Sequence, residues 1–351
     1  MKSHMNYRVK SVLEIDMSKQ NAAIKEEEIR PEDVFSEFMR LSAHDAENFF
    51  DKSKFVEVNC PGCASSEIKS KFKKNTFTYN NCEECGSIYV SPRPDLSELI
   101  RYYSVGKSQS FWAEEVLKKT GEKRKESIML PNITRIEEVI EKTGHKPKRV
   151  LDIGSANGAF LTEWKKRHPE AELHGIEPGQ DAARQCRELG IEVYESSVED
   201  EAEQGDAQGD LVTCFEVIEH VQDPELFAKA VYKVTAPGGV AIMSCLGADG
   251  FDIQLLWEKS RSLQPPYHLN FLSHKGMTEL FSKAGFKEVS IFTPGRLDVQ
   301  IVQKSIERGV VPELSRFEEL LLSRGEETLA AFQKFLADHC LSSHVWIVCE
   351  R

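Results

Sequence analysis

The sequence has no apolar run long enough to cross a membrane, and Met1 to Lys10 contain no apolar core of a secretion signal. It also lacks a basic excess, because 57 acidic residues outnumber 45 lysines and arginines and give a formal net charge of −12. This balance excludes a surface dominated by nonspecific phosphate binding, but it leaves room for a local basic groove. These absences predict a soluble cytoplasmic protein that has no membrane partner.

The 351 residues, 40% of them hydrophobic, predict one large α/β domain and a smaller module. From Arg149 onward, strand-like and helix-like segments alternate, which is typical of a parallel sheet with helices on both faces. We expect an N-terminal helical segment at 1–55, a cysteine module at 56–95, a helical cap at 96–145 and the α/β domain at 146–351. A helical insertion at about 296–341 lies within that last domain.

Four of the nine cysteines form two C-x-x-C pairs with the overall spacing C-x2-C-x18-C-x2-C. They are Cys60, Cys63, Cys82 and Cys85. This spacing is typical of a structural zinc ribbon, in which four thiolates close a tetrahedral site and leave no position for catalysis. A redox dithiol is the rival interpretation, but neither pair stands at the head of a helix in a βαβ unit.

A glycine-punctuated turn follows the apolar strand that ends at Ile153. Gly154 and Gly158 allow close approach of a ligand to the backbone, and Glu177 ends the next strand, where a carboxylate can bind ribose hydroxyls. Dinucleotide folds have a glycine at the position of Ala156. Its absence predicts a nucleoside-like cofactor without a pyrophosphate.

Four motifs in residues 146–351 resemble those of class I S-adenosylmethionine (SAM)-dependent methyltransferases. They are Leu151-Asp152-Ile153-Gly154-Ser155-Ala156-Asn157-Gly158, His174-Gly175-Ile176-Glu177-Pro178, Phe215-Glu216-Val217-Ile218-Glu219-His220-Val221 with Asp223-Pro224, and Ala236-Pro237-Gly238-Gly239. The resemblance implies a Rossmann-like, seven-stranded sheet and SAM as the cofactor. The cofactor-binding residues that it implies are Asp152, Gly154, Ser155, Asn157, Gly158, Phe160, Glu177, Pro178, Ser197, Val198, Cys214 and Phe215.

The candidate catalytic residues lie after strands four and five of this domain: Glu216, Glu219, His220 and His268. The E-x-x-E-H motif with a later histidine resembles the divalent-metal site of small-RNA 3′-terminal 2′-O-methyltransferases, and in part that of ubiquinone-pathway O-methyltransferases. In those families the metal lowers the pKa of the hydroxyl that is methylated. Magnesium, manganese or zinc would suit these ligands. Without a metal, His220 or His268 could act as a general base.

The front half of the chain resembles bacterial methyltransferases of sugar or surface-polysaccharide pathways that carry an N-terminal zinc-binding region. Methylation at carbon is disfavoured, because the Pro-x-Ala-Asn signature of the sugar C-methyltransferases is absent. We therefore expect O-methylation of a small sugar-like or polyhydroxylated acceptor, with the helices around Tyr102 to Trp112 as a lid. RNA 2′-O-methylation is the alternative, supported by lysines 69, 71, 73 and 74. A noncatalytic SAM-binding or scaffold protein is the third.

Overall fold

The computed structural model describes residues 24–310 and 313–351. The described chain begins with α1 (Glu26–Ile29) and α2 (Glu32–Asn48). The sequence predicts a helix from Pro31 to Arg40, and α2 continues two turns further. Phe35 and Phe38 stand three residues apart, so they share one face of α2, and both are buried. No helix of the described residues is both long enough and apolar enough to span a membrane.

The cysteine module forms two small sheets. Its strands are β1 (Phe55–Val56), β2 (Ile68–Lys74), β3 (Phe77–Cys82), β4 (Ile88–Val90) and β5 (Arg93–Pro94). β1 pairs with β5, and β2, β3 and β4 form an antiparallel sheet whose fourth strand, β11 (Asn270–Phe271), comes from the α/β domain. The module is therefore joined to that domain by backbone hydrogen bonds as well as by the chain.

A long helical rod connects the module to the α/β domain. After α3 (Leu96–Val105), the segments α4 (Lys107–Phe111), α5 (Lys118–Arg124) and α6 (Leu130–Thr143) follow one another through two π-helical turns, Trp112–Leu117 and Lys125–Met129. The rod thus runs without a break from Lys107 to Thr143 and ends at Gly144, whose φ of +73° closes the helix. This agrees with the helices that the sequence predicts between Leu96 and Lys142.

The main sheet has seven strands in the order β12-β13-β10-β9-β6-β7-β8. The strands are β6 (Arg149–Ile153), β7 (Glu172–Ile176), β8 (Glu192–Tyr194), β9 (Gly209–Phe215), β10 (Thr235–Leu246), β12 (Glu288–Phe292) and β13 (His344–Glu350). The β13 strand runs antiparallel between β10 and β12, whereas the five strands from β10 to β8 are parallel. This is a Rossmann-like order with one inserted antiparallel strand, and it confirms the predicted class I methyltransferase sheet.

Helices cover both faces of the sheet, and two hydrophobic clusters fill the space between the layers. The helices are α7 (Ala159–Arg167), α8 (Gln180–Glu188), α9 (Val198–Gln204), α10 (Pro224–Val234), α11 (Phe251–Leu256), α12 (His274–Ala284), α13 (Asp298–Glu307), α14 (Arg316–Leu322) and α15 (Glu326–Asp338). Because parallel strands end at one edge, the loops after β6 to β10 meet there.

In the helical insertion at about 296–341, the structure contradicts part of one prediction about which residues form the hydrophobic core. Its apolar residues recur at helical spacing, which predicts core packing, and Leu329 and Leu336 are indeed buried. Phe317, Leu320 and Phe335 are exposed, by 69%, 51% and 48% respectively. Helical spacing puts residues on one face of a helix, but a neighbouring element has to cover that face before it becomes core.

Candidate active site and metal centre

The glycine loop after β6 adopts left-handed backbone conformations at three positions. Gly154 and Gly158 have φ of +72° and +77°, and Ala156, between them, has φ of +47°. A Cβ atom on Gly158 would lie 2.7 Å from Cys186 Sγ, so the loop is in direct contact with α8. The positive φ and this close approach both favour glycine, as the sequence predicts.

A comparison of Gly158→Ala with Gly144→Ala separates the effect of the positive φ from the effect of the close contact with Cys186. Both positions have nearly the same φ, but at Gly144 nothing lies within 4 Å of an added Cβ. We expect Gly144→Ala to cost about 1 kcal/mol of unfolding free energy and Gly158→Ala clearly more, in urea titrations. We also expect only Gly158→Ala to weaken SAM binding. Equal losses of stability would contradict the close-packing argument.

Glu177 lies at the end of β7 and faces the glycine loop. Its Oε2 accepts a hydrogen bond from the backbone N of Ala156 (2.9 Å), and its Oε1 accepts one from the backbone N of Gly179 (2.8 Å). Burial raises the pKa of this carboxyl group. Each carboxylate oxygen has a second lone pair for a ligand hydroxyl, so the position fits the predicted ribose contact.

The other predicted cofactor residues lie at the same carboxyl edge, but not all of them present side chains there. Asp152 accepts a hydrogen bond from Thr213 Oγ1 (2.7 Å), and burial raises its pKa to about 7. Ser197 caps α9 by accepting from the backbone N of Asp200. The remaining ones are Ser155, Asn157, Phe160, Pro178, Val198, Cys214 and Phe215. Val198 and Cys214 are buried in the core, so only their backbone can contact a cofactor.

Glu216 follows β9 directly and has a φ of +54°, which is unusual for a residue other than glycine. Its Oε1 accepts hydrogen bonds from Ser244 Oγ (2.6 Å) and His344 Nε2 (3.2 Å). Desolvation raises the pKa of Glu216, but the charge of His344 and these two hydrogen bonds together lower it to about 2, and the side chain is still 42% exposed. His344 begins β13, and the sequence analysis did not identify it. An antiparallel strand begins at the edge where parallel strands end, which is the signal that could have placed it here.

Glu219, His220 and His268 form a compact cluster, in which one ligand atom from each residue lies within 4.8 Å of the other two. His220 Nδ1 lies 2.6 Å from the carbonyl oxygen of Tyr267, and His268 Nδ1 lies 2.7 Å from that of Ser262. A carbonyl oxygen can only accept, so both rings carry their proton on Nδ1 and leave Nε2 with a free lone pair.

The charge state of this cluster suits a cation. Burial lowers the pKa of His220 to about 4 and that of His268 to about 3, so both rings are neutral near pH 7. Glu219 is fully buried, and neither of its carboxyl oxygens has a hydrogen-bond partner among the described residues. Burial and the charge of Glu216 raise the pKa of Glu219 well above its usual range, so a bound cation would be needed to keep it ionised. Two neutral imidazoles and an unpartnered carboxylate are a donor set for a divalent cation. Of the four predicted catalytic residues, Glu216 alone lies outside this cluster.

A cavity of about 70 Å³ lies over the cluster, and Glu216 also lines it. The residues of its other walls were not predicted as site residues, except that Trp112 belongs to the expected lid. They are Arg30, Phe35, Phe38, Trp112, Arg124, Leu246, Arg261, Ser262, Gln264 and Tyr267. The rings of Phe38, Trp112 and Tyr267 are in mutual contact, with centroids 4.9 to 5.9 Å apart. The N-terminal helices therefore close this cavity together with the rod that begins at Lys107.

The four cysteines of the module meet at one point. Cys60 Sγ lies 3.4 Å from Cys85 Sγ, Cys63 Sγ lies 3.5 Å from Cys82 Sγ, and all four sulfurs lie within 4.8 Å of one another. A tetrahedral zinc with bonds of about 2.3 Å holds its sulfurs about 3.8 Å apart, so the arrangement fits such an ion. The hydrogen bond between Cys60 and Cys85 raises the pKa of Cys60 and lowers that of Cys85 to about 4, so the two sulfurs share one proton that a bound metal would displace.

Backbone hydrogen bonds join the cysteine module to the candidate catalytic cluster. Asn270, in β11, pairs with Tyr89 in β4, and the backbone N atoms of Leu269 and Asn270 both donate to the carbonyl oxygen of Glu219 (2.7 and 3.1 Å). Tyr79 in β3 donates its hydroxyl to the carbonyl oxygen of His268 (2.6 Å). The module thus holds the loop that carries His268.

Comparison with known proteins gives a match over the centre of the chain. Residues 122–291 match the family model described as a methyltransferase domain. The "Ubiquinone biosynthesis O-methyltransferase" of Escherichia coli (strain E24377A) is 36% identical over 108 residues, which is 29% of this chain and 45% of that protein. The chain thus spans less than half the length of the curated relatives that it matches.

Solved structures of two SAM-dependent methyltransferases also resemble the chain. That from Archaeoglobus fulgidus is 15% identical, with a TM-score of 0.43, and covers 66% of this chain and 98% of its own. The "possible histamine N-methyltransferase" of Thermotoga maritima is 18% identical, with a TM-score of 0.43, and covers 68% and 99%. These low scores carry no conclusion about function. The matched domain, taken with the strand order, supports a class I SAM-dependent methyltransferase.

Proposed function

We propose that this protein transfers a methyl group from SAM to a hydroxyl of a small sugar-like or polyhydroxylated acceptor. A divalent cation held by Glu219, His220 and His268 would bind next to that hydroxyl, with Glu216 beside it. One observation carries the proposal: one ligand atom from each of Glu219, His220 and His268 lies within 4.8 Å of the other two, under a cavity at the edge where the glycine loop lies. The O-methyltransferase name of the Escherichia coli relative agrees with it.

The chemistry needs little from the protein besides alignment and removal of a proton. The acceptor oxygen forms a bond to the methyl carbon as the carbon–sulfur bond breaks, and the sulfur keeps the electron pair as S-adenosylhomocysteine. The hydroxyl proton leaves to water. The cation would supply the positive charge that makes this proton easier to remove. Glu219 and the two histidines would hold it, and Tyr267 and Ser262 fix the orientation of the imidazoles.

A general-base role for the histidines is less well supported. An efficient base has a pKa near the working pH, whereas burial lowers the pKa of His220 to about 4 and that of His268 to about 3. Such imidazoles remain neutral, but they hold a proton only weakly. They are better suited to donate a lone pair to a cation than to take the proton from an alcohol.

The surroundings of the cavity favour a small acceptor over RNA. The cavity is small and is closed by aromatic rings, and the chain carries a net charge of −12. The lysines that support the RNA alternative lie on β2, at the edge of the module sheet opposite to β11. Methyl transfer from labelled SAM into a cell extract tests the choice. We expect label in the fraction below about 1 kDa, and label confined to RNA would refute the small acceptor.

Glu177→Ala tests the proposed position of the cofactor. Loss of the carboxylate removes the hydrogen bonds from the backbone N atoms of Ala156 and Gly179 and the proposed ribose contact, so we expect SAM affinity to fall by about tenfold to a hundredfold. Isothermal titration calorimetry measures it. Glu172→Ala is the matched control, because Glu172 is exposed and begins the strand that Glu177 follows. Unchanged affinity in Glu177→Ala would contradict this position.

A further inference from the structure

Three arginines line the cavity over the cluster, and two of them form no ion pair with a residue that the structure describes. Arg30, Arg124 and Arg261 all line it. Arg261 is paired with Glu32, at 2.9 Å from Nη1 to each carboxylate oxygen. Arg124 donates only to the carbonyl oxygen of Ile29 (3.0 Å), and Arg30 makes no side-chain hydrogen bond to any residue of 24–310 or 313–351. Within the described chain, the guanidinium groups of Arg30 and Arg124 therefore line the cavity without an ion pair, although Glu216 lies in the same lining.

These two guanidinium groups lie close to each other and to the candidate catalytic cluster. Arg124 Nη1 donates to the carbonyl oxygen of Ile29, the residue before Arg30 (3.0 Å), and burial together with the charge of Arg30 lowers the pKa of Arg124 to about 10. Two like charges in a partly buried site repel each other unless an anion lies between them. The rings of Phe35 and Trp112 lie under the guanidinium groups of Arg30 and Arg124, at 5.4 and 5.7 Å, and limit their freedom.

A buried amide in the same wall is also without a partner. Gln264 is 2% exposed, and neither its Oε1 nor its Nε2 makes a hydrogen bond within the described chain. A buried amide without hydrogen bonds destabilises the folded protein, and a ligand that forms hydrogen bonds with it removes this cost. Gln264 can donate to an anion or accept from a hydroxyl, so it is a third unused polar group at one cavity.

We propose that the acceptor carries an anionic group, a phosphate or a carboxylate, that binds between Arg30 and Arg124 with Gln264 beside it. This inference rests on the proposed function, since it places the anion next to the hydroxyl at Glu219, His220 and His268. A cation held by those residues would offset the charge of the cluster's carboxylate and would leave the arginines for the acceptor. Guanidinium groups suit both anions, because they bind either in a bidentate manner.

Paired probes that differ by one anionic group test the proposal. Calorimetry on the protein saturated with S-adenosylhomocysteine would compare ribose 5-phosphate with ribose, and gluconate with sorbitol. We expect the charged member of at least one pair to bind at least about tenfold more tightly, since charge-assisted hydrogen bonds are the stronger ones. The pair that shows the preference identifies the anion as phosphate or carboxylate. No preference in either pair would overturn the proposal.

Arginine variants locate the anion. We expect Arg30→Met and Arg124→Met to lose most of the preference, and Arg40→Met to keep it, because Arg40 is an exposed residue of α2 paired only with Glu37. Arg124→Lys keeps the charge and should retain part of the preference, and unchanged S-adenosylhomocysteine affinity would show that each variant is folded. A preference that persists in Arg30→Met and Arg124→Met would overturn the proposal.

The results of these experiments distinguish a failure of the anion-site proposal from a failure of the proposed function. The calorimetry is done without added metal, so it reports on the arginines alone. If Glu219→Gln keeps full activity while the arginine-dependent preference is present, the metal site is wrong and the anion site stands. If a single-stranded RNA binds more tightly than both charged probes, and Arg30→Met weakens it, the anion is an RNA phosphate and the small-acceptor proposal is overturned.

Discussion

Glu219→Gln and His268→Gln are expected to lower methyl transfer at least about a hundredfold while leaving the affinity for SAM unchanged. Each removes one ligand atom from the proposed cation site, and neither residue belongs to the glycine loop or contacts Glu177. The measurements are turnover with labelled SAM and calorimetric SAM binding on the same preparations. Activity of the unaltered protein should also disappear on treatment with a chelator and return with manganese or magnesium.

The control for these two variants is Glu225→Gln. Glu225 is an exposed residue of α10, paired with Lys229, and lies only a few residues beyond the motif. A general loss of stability would show in the melting midpoints, which we expect to stay close to that of the unaltered protein. Full activity in both Glu219→Gln and His268→Gln would refute this site. Activity that resists chelation but is lost in both variants would favour a catalytic role without a metal.

The alternation of strands and helices and the meeting of the motifs at one edge were predictable, because hydrophobic patterning is local and parallel strands share their carboxyl edge. Glu219 and His220 follow β9 and His268 follows β10, so the fold alone brings them close. The walls of the cavity were not predictable in this way. Phe38 meets Tyr267 across more than two hundred residues of chain. Nothing in the pattern of α2 says which surface its apolar face covers.

The same limit explains why the sequence did not predict that Arg30 and Arg124 line the cavity. Arg30 stands at the end of a four-residue helix, and Arg124 stands on a rod rich in lysine and glutamate, so each has the sequence context of a solvated surface charge. Only the packing of the N-terminal helices against the rod brings them to one cavity. The reverse holds for Phe317 and Leu320, which have the spacing of core residues but are exposed. Periodicity identifies a face, and the tertiary partner decides its role.

Removal of the cysteine cluster is expected to affect stability and activity together. We expect Cys63→Ser and Cys82→Ser to lose zinc and to lower the melting midpoint by about 10 °C or more, since a structural zinc site supplies much of the folding free energy of a small module. Methyl transfer at temperatures well below that midpoint should also fall. β11 pairs with β4 inside the module, and its neighbour Leu269 holds the backbone of Glu219. SAM binding should change little, because Glu177 and the glycine loop are held by the main sheet.

Cys340→Ser provides the matched control, because Cys340 is a partly buried thiol outside the cluster. We expect it to retain zinc, melting midpoint and turnover. Zinc content by atomic absorption, melting curves and turnover on all three variants then separate two claims. An unchanged midpoint in Cys63→Ser and Cys82→Ser would refute the structural role of the cluster. A lowered midpoint with full turnover of the folded fraction would keep that role, but would show that β11 does not need the module to hold Glu219 and His268 in place.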